Sequence, residues 1–340
     1  MSTRPDPVHV GAVGAGRMGR GIGLAFALAG QPCAIIDVKR RDDKAFRALA
    51  ADATQELRDC LQTLARLCII DADAVDDILQ RIHIVGRENA PATLSGLQLV
   101  FEGVPETLEA KREALAYACS CLGDDVIIAS TSSTMLSSEL ANLVTRPERF
   151  LNAHWLNPAY LIPLVEVSPH PGTAPDVVER LKAVLEAIGK IPVLCNAQPG
   201  YIVPRLQTLI MNEAARMVEQ GVATAEDIDK ATRYGFGIRY AAMGVVEFID
   251  FGGADILYYA SRYLSEALDE SRYAAPAILE QKMLSGDIGL KSGRGFYDWR
   301  VRDVSRYREE AFNALVDLLR LKNALPPDGR PREPLFRHRQ

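Results

Sequence analysis

Short apolar runs alternate with helix-period segments over the first two hundred residues of the chain. Residues 8–13 read as a buried strand, 17–29 as a helix and 33–37 as a second strand. Residues 42–68 form a long amphipathic segment, with apolar residues at helical spacing and Asp, Glu and Arg between them. Further strands are predicted at 82–85, 97–101, 126–129, 150–154, 164–167 and 192–194, with helices at 108–122 and 175–188. Such alternation argues for an α/β fold, a mostly parallel, doubly wound sheet covered by helices on both faces.

The pattern changes at Gln198-Pro199-Gly200. Beyond it, 203–220, 224–234, 254–268 and 275–284 carry helical periodicity, and Thr224-Ala225-Glu226-Asp227 supplies a capping hydroxyl followed by first-turn acids. The reading is therefore an α/β domain over 1–198, an all-α domain over 199–322 and a Pro- and Arg-rich tail over 323–340 with little to bury.

Composition narrows the field. A chain of 340 residues, 48% hydrophobic, buries enough for two domains. The net charge of -5 is mild and no basic stripe points to nucleic acid. The six cysteines show neither CxxC nor zinc-ligand spacing and read as small core residues in a reducing compartment. The start of the chain is polar, and no apolar run approaches the roughly 18–20 residues that span a bilayer. A cytoplasmic protein is expected, with no membrane or nucleic-acid partner and no metal site.

Gly14-Ala15-Gly16-Arg17-Met18-Gly19 lies directly after the first predicted strand and opens the first helix. In a Rossmann-type domain the first glycine permits the tight turn and the second lets the backbone approach a pyrophosphate. The third allows close helix–strand packing. Asp37 ends the second strand, where a carboxylate accepts the ribose hydroxyls and repels a 2′-phosphate, favouring NAD over NADP. Lys39, Arg40 and Arg41 follow at once and are suited to attract that same phosphate. The bland alternative is a glycine turn that only packs a helix.

His154 and Glu166 sit at the edges of two apolar runs separated by a Pro-containing connection. If both runs are strands, the chain reverses between them and imidazole and carboxylate can meet. A carboxylate then fixes the tautomer and stabilises the imidazolium, which makes a general base for a hydroxyl. The residues alone equally allow a strand-end His beside an unrelated Glu.

Taken in order, these parts resemble the L-3-hydroxyacyl-CoA dehydrogenase family, over essentially the whole chain to about Trp299. The most specific stretch is His154-Trp155-Leu156-Asn157-Pro158 followed by Leu164-Val165-Glu166-Val167. Phe101-Glu102-Gly103-Val104-Pro105-Glu106 with Lys111, Ala129-Ser130-Thr131-Ser132-Ser133, Pro199-Gly200-Tyr201-Ile202-Val203 and the run Gly289 to Tyr297 are similar to further family segments. The resemblance implies that His154 takes the hydroxyl proton as hydride leaves for NAD, and that Glu166 orients it. By its spacing to His154, Ser133 would bond the substrate oxygen, with Ser130 and Ser132 competing and a helix cap near Ser137 as the plain alternative. Glu102, Lys111 and Asn157 would lie at the cofactor, beside Gly14, Gly16, Arg17, Met18, Gly19 and Asp37. Glu102 also reads as an ordinary strand-end acid, and Asn157 as an Asn-Pro turn. A homodimer is implied.

Two departures bear on substrate. Pro204 stands where family members usually carry an Asn that touches substrate, leaving Asn212 or a water to replace it. Arg239, in Gly235-Phe236-Gly237-Ile238-Arg239-Tyr240, looks more like the gulonate and carnitine dehydrogenase branch and is suited to hold a carboxylate. Its bland reading is a surface arginine paired with an acid. Three functions follow: oxidation of a 3-hydroxyacyl compound such as 3-hydroxybutyryl-CoA, oxidation of a free hydroxy acid, or a non-catalytic, crystallin-like NAD-binding protein.

Overall fold

The structure, a computed structural model, describes residues 9–268 and 271–325. Eight strands form one sheet: β1 (Val10–Val13), β2 (Cys33–Asp37), β3 (Ile82–Gly86), β4 (Leu99–Glu102), β5 (Ile127–Ser130), β6 (Phe150–Trp155), β7 (Leu164–Pro169) and β8 (Ile191–Leu194). Their order is β3-β2-β1-β4-β5-β6-β7-β8. All neighbours pair in parallel except β6 and β7, which run antiparallel. All eight strands were predicted, and β2 spans the predicted residues.

Alternate side chains of the central strands enter different cores, which is why those runs are apolar on both faces. Leu99 and Phe101 of β4 pack with Phe26 and Trp155, while Val100 between them packs with Val13, Ile36 and Ala114. Helix α1 (Arg17–Leu28) covers the first of these faces. The 24-residue helix α2 (Asp43–Arg66) starts at Asp42, whose side chain accepts from the Ala45 N–H. It buries the stripe Ala53, Leu57, Leu61 and Leu64.

The chain divides into two compact units between Met211 and Asn212. That division falls within the helix Val203–Glu219. The expected tail, 323–340, lies outside the described residues from 326 onward. The second unit is helical, and Thr224 caps the helix Ala225–Ala231 as expected, accepting from the Asp227 N–H at 3.1 Å. The predicted helix 224–234 does not continue as α: Thr232–Gly237 widens into a π turn before the short helix Ile238–Ala242. Inside this unit Asp250 is fully buried and accepts three donors at 2.9 Å, the N–H groups of Phe296 and Tyr297 and Nε1 of Trp299. Among the described residues no helix is long and apolar enough to cross a membrane.

Candidate active site

The antiparallel pairing of β6 and β7 sets His154 directly opposite Glu166. Residues opposite each other on such a pair project to the same face, and His154 Nδ1 lies 2.7 Å from Glu166 Oε2. The other carboxylate oxygen is also engaged. Oε1 accepts the N–H groups of Ile202 and Val203, each at 2.8 Å, where the helix Val203–Glu219 begins. Burial pushes the Glu166 carboxyl up, but the His154 bond and the two backbone donors outweigh it and hold it below the usual carboxylate range. With Nδ1 occupied, Nε2 is the ring nitrogen left for a ligand. The Tyr201 ring stacks on the imidazole at 5.9 Å and 25°, and its hydroxyl donates to the Met135 carbonyl at 2.8 Å.

The serine segment after β5 is organised by acids. Glu102 and Lys111 are both fully buried and pair at 3.0 Å. Glu102 also accepts from Ser130 Oγ at 2.6 Å and from the Val104 N–H at 2.9 Å. The structure thus places Glu102 and Lys111 in a buried network beneath the serine segment. Glu106 stands above them. Lys111 Nζ lies 3.2 Å from one of its oxygens, and the other accepts from the Ser132 hydroxyl, the N–H groups of Ser133 and Thr134, and the Thr134 hydroxyl. Burial raises the Glu106 carboxyl, yet these partners bring it down to about 2.

Of the three competing serines, Ser130 and Ser132 are fully buried with committed hydroxyls. Ser133 is half-buried, and it does not cap the helix Ser137–Leu140, whose N-cap position is Leu136. The turn is instead tied by Ser132 Oγ, which accepts from the Met135 N–H at 2.8 Å.

The glycine turn has the form that a dinucleotide requires. Gly14 sits at φ +113°, and a Cβ on Gly19 would lie 1.9 Å from the Gly14 carbonyl, so neither tolerates a side chain. A Cβ on Gly16 would meet nothing within 4 Å, so the floor of the turn is open and wide enough for a pyrophosphate. The first turn of α1 carries no acid, leaving its positive end unneutralised. A cavity of about 520 Å³ extends from Gly14, Gly16 and Arg17 past Gly103 to Asp37, Lys39 and Arg41. These residues fit NAD, with the pyrophosphate at the turn and the adenosine ribose at Asp37. Met18 is half-buried beside Gly103. Asn157 is exposed and lines a smaller cavity of about 340 Å³ with Arg17 and Gly21.

Two supporting residues escaped the sequence reading. Tyr201 appeared only as part of the entry to the helical segment. Lys190, buried at 7% exposure, donates to the carbonyls of Ala159 at 2.7 Å and Ile162 at 2.9 Å. It thereby holds the connection between the His154 and Glu166 strands, and burial pushes its ammonium down. No local spacing announces a lysine whose partners are carbonyls 28 and 31 residues away. Pro204 occupies the first turn of its helix, where a missing N–H costs little. Arg239 belongs to the second unit. Its Nε donates to the Gly235 carbonyl at 3.0 Å and its guanidinium lies 4.9 Å from the Phe248 ring centre. It is exposed, and among the described residues no acid pairs with it.

Residues 9–198 match the family profile for the 3-hydroxyacyl-CoA dehydrogenase NAD binding domain, and 200–299 match that for its C-terminal domain. The chain is 33% identical over 291 residues to 3-hydroxybutyryl-CoA dehydrogenase of Bradyrhizobium diazoefficiens, covering 86% of this chain and 95% of that protein. It is 28% identical over 314 residues to 5-formyl-3-hydroxy-2-methylpyridine 4-carboxylate 5-dehydrogenase of Mesorhizobium japonicum, covering 92% and 97%. The crystal structure of a 3-hydroxyacyl-CoA dehydrogenase from Archaeoglobus fulgidus matches with a TM-score of 0.73 at 28% identity, covering 94% of this chain and 100% of that one. The chain belongs to the 3-hydroxyacyl-CoA dehydrogenase family and is an NAD-dependent oxidoreductase acting on CH–OH groups.

Proposed function

We propose that the protein oxidises the 3-hydroxyl of a 3-hydroxyacyl compound, most like 3-hydroxybutyryl-CoA, to the 3-oxo product. The observation that carries this reading is the 2.7 Å contact of His154 Nδ1 with Glu166 Oε2. Because Glu166 occupies Nδ1, the neutral ring presents Nε2 as the acceptor for the hydroxyl proton. The carboxylate then stabilises the imidazolium that forms. Bound NAD supplies the hydride acceptor. Ser133 bonds the substrate oxygen, a role supported by its half-exposed position beside two buried and committed serines. Asn157 borders the nicotinamide end.

A second reading, a free hydroxy acid as substrate, draws on Arg239 and Pro204. A guanidinium without an acid partner suits a substrate carboxylate. The Mesorhizobium relative, matched over nearly its full length, is named for a carboxylated pyridine. The deciding experiment is a panel of 3-hydroxyacyl-CoA thioesters beside the matching free acids, followed by NADH absorbance. Preference for thioesters supports the first reading and preference for acids the second. NAD binding with no turnover on either set would leave a non-catalytic protein.

In this proposal the helical region 199–322 carries the dimer contacts. Large apolar side chains stand exposed on its helices, Tyr263 at 71% and Leu284 at 89%, which supports a homodimer. The six free thiols suit a reducing compartment such as the cytoplasm.

A further inference from the structure

Asp37 is not a solitary carboxylate at the end of β2. Arg41 Nε lies 2.5 Å from its Oδ2, and the Lys39 N–H points at its Oδ1 from 3.4 Å. The pair spans four residues of loop rather than a helical turn. The Asp37 side chain is 6% exposed and that of Arg41 30%, and both line the 520 Å³ cavity that begins at the glycine turn. Among the described residues the two Nη groups of Arg41 have no other partner.

We infer that Arg41 is a specificity-determining residue for the coenzyme, a latent 2′-phosphate ligand that Asp37 holds out of use. This rests on the adenosine ribose lying against Asp37. A lone aspartate there rejects a 2′-phosphate by charge as well as by facing one acceptor with another. Here the guanidinium cancels much of that charge. Discrimination then depends on the carboxylate occupying the donor fork that a phosphate would otherwise take. Two consequences follow from one geometry. Without Arg41 the carboxylate stands unneutralised and repels the phosphate more strongly. Without the carboxylate, Arg41 and the neighbouring Lys39 are free to receive it.

The test is equilibrium titration of NADH and NADPH, read by nucleotide fluorescence, on the wild type, Arg41→Ala, Asp37→Ser and the double variant. The quantity read is the ratio of the two dissociation constants, which is insensitive to a fraction of unfolded protein. Wild type binding NADH more tightly than NADPH places the ribose at Asp37, and binding neither overturns that placement and the inference with it. Asp37→Ser is expected to shift the ratio toward NADPH by roughly 10- to 100-fold, the worth of one or two charge-assisted bonds. Adding Arg41→Ala should take back about tenfold or more of that shift, and Arg41→Ala alone should move the ratio toward NADH. Equal ratios for Asp37→Ser and the double variant would show that Arg41 is merely a surface partner, even with NADH binding intact. Asp37→Asn, which keeps the shape of the side chain, serves in place of serine if serine disrupts the loop.

Discussion

Glu166 meets His154 across an antiparallel rung and spends its second oxygen on a helix start, so one carboxylate fixes both the imidazole and the entry to the helix Val203–Glu219. Glu166→Gln keeps the shape but places an amide against Nδ1 and the two N–H donors. An orienting carboxylate beside a catalytic imidazole is worth about 10²–10⁴ in kcat, and a loss in that range is expected with a much smaller change in KM. Initial rates by NADH absorbance, with NADH binding measured in parallel, check it. Wild-type kcat in Glu166→Gln would remove the dyad from the mechanism.

Acid should loosen this site in a definite direction. Glu106 is brought down to about 2, and Glu166 is held below its ordinary range. A carboxyl depressed in the folded state contributes stability above its unfolded value, about 4.3, and loses it as pH falls through the folded value. Urea midpoints should therefore be flat from neutral pH to about 5 for these groups and decline from about 4 toward 2. Glu106→Gln should lower the neutral midpoint and flatten the decline. Parallel curves for variant and wild type would show that Glu106 contributes no such linkage; its side chain is 35% exposed, so solvent screening reduces the effect.

Lys190→Met removes the donor that caps Ala159 and Ile162. Methionine fills much of the same volume, but the two carbonyls lose their partner, one of them fully inside the protein. Each loss costs about 1–3 kcal/mol, so destabilisation of about 2–4 kcal/mol is expected. Faster proteolysis within residues 156–163 and a raised KM for NAD should accompany it. A variant as stable as the wild type, with an unchanged proteolytic pattern, would mean that the connection holds itself.

The strands were legible because each is a short apolar run closed by polar or glycine residues, and a run buried on both faces needs no alternation to be read. The meeting of His154 with Glu166 was legible for the same reason: two strands joined through a proline turn can bring their ends together. The buried network around Glu102 was not legible, because its neighbours in sequence say nothing of Lys111 and Ser130 closing over it. Val304–Leu321 went unread because charged residues dilute its stripe, of which only Ala311 is buried.

Asp250 shows the same limit most sharply, since its three donors lie 46 to 49 residues away. It is fully buried, and a Cβ on Gly295 would come within 2.2 Å of its Oδ1, so the segment after Gly289 folds tightly around this one acceptor group. Asp250→Ala leaves three inward-facing N–H groups without a partner. Unpaired buried donors cost about 1–3 kcal/mol each, partly relieved by water entering the gap. A net loss of about 3–5 kcal/mol is expected. Asp250→Asn should fall between, because one side-chain oxygen remains while the amide N–H₂ faces a donor. The check is fluorescence of Trp299, whose Nε1–H is one of the three donors, followed during urea unfolding. Its emission should shift to the red in native buffer in Asp250→Ala, and its unfolding midpoint should fall. An unshifted spectrum with an unchanged midpoint would mean that packing around Trp299, rather than the carboxylate, holds the segment in place.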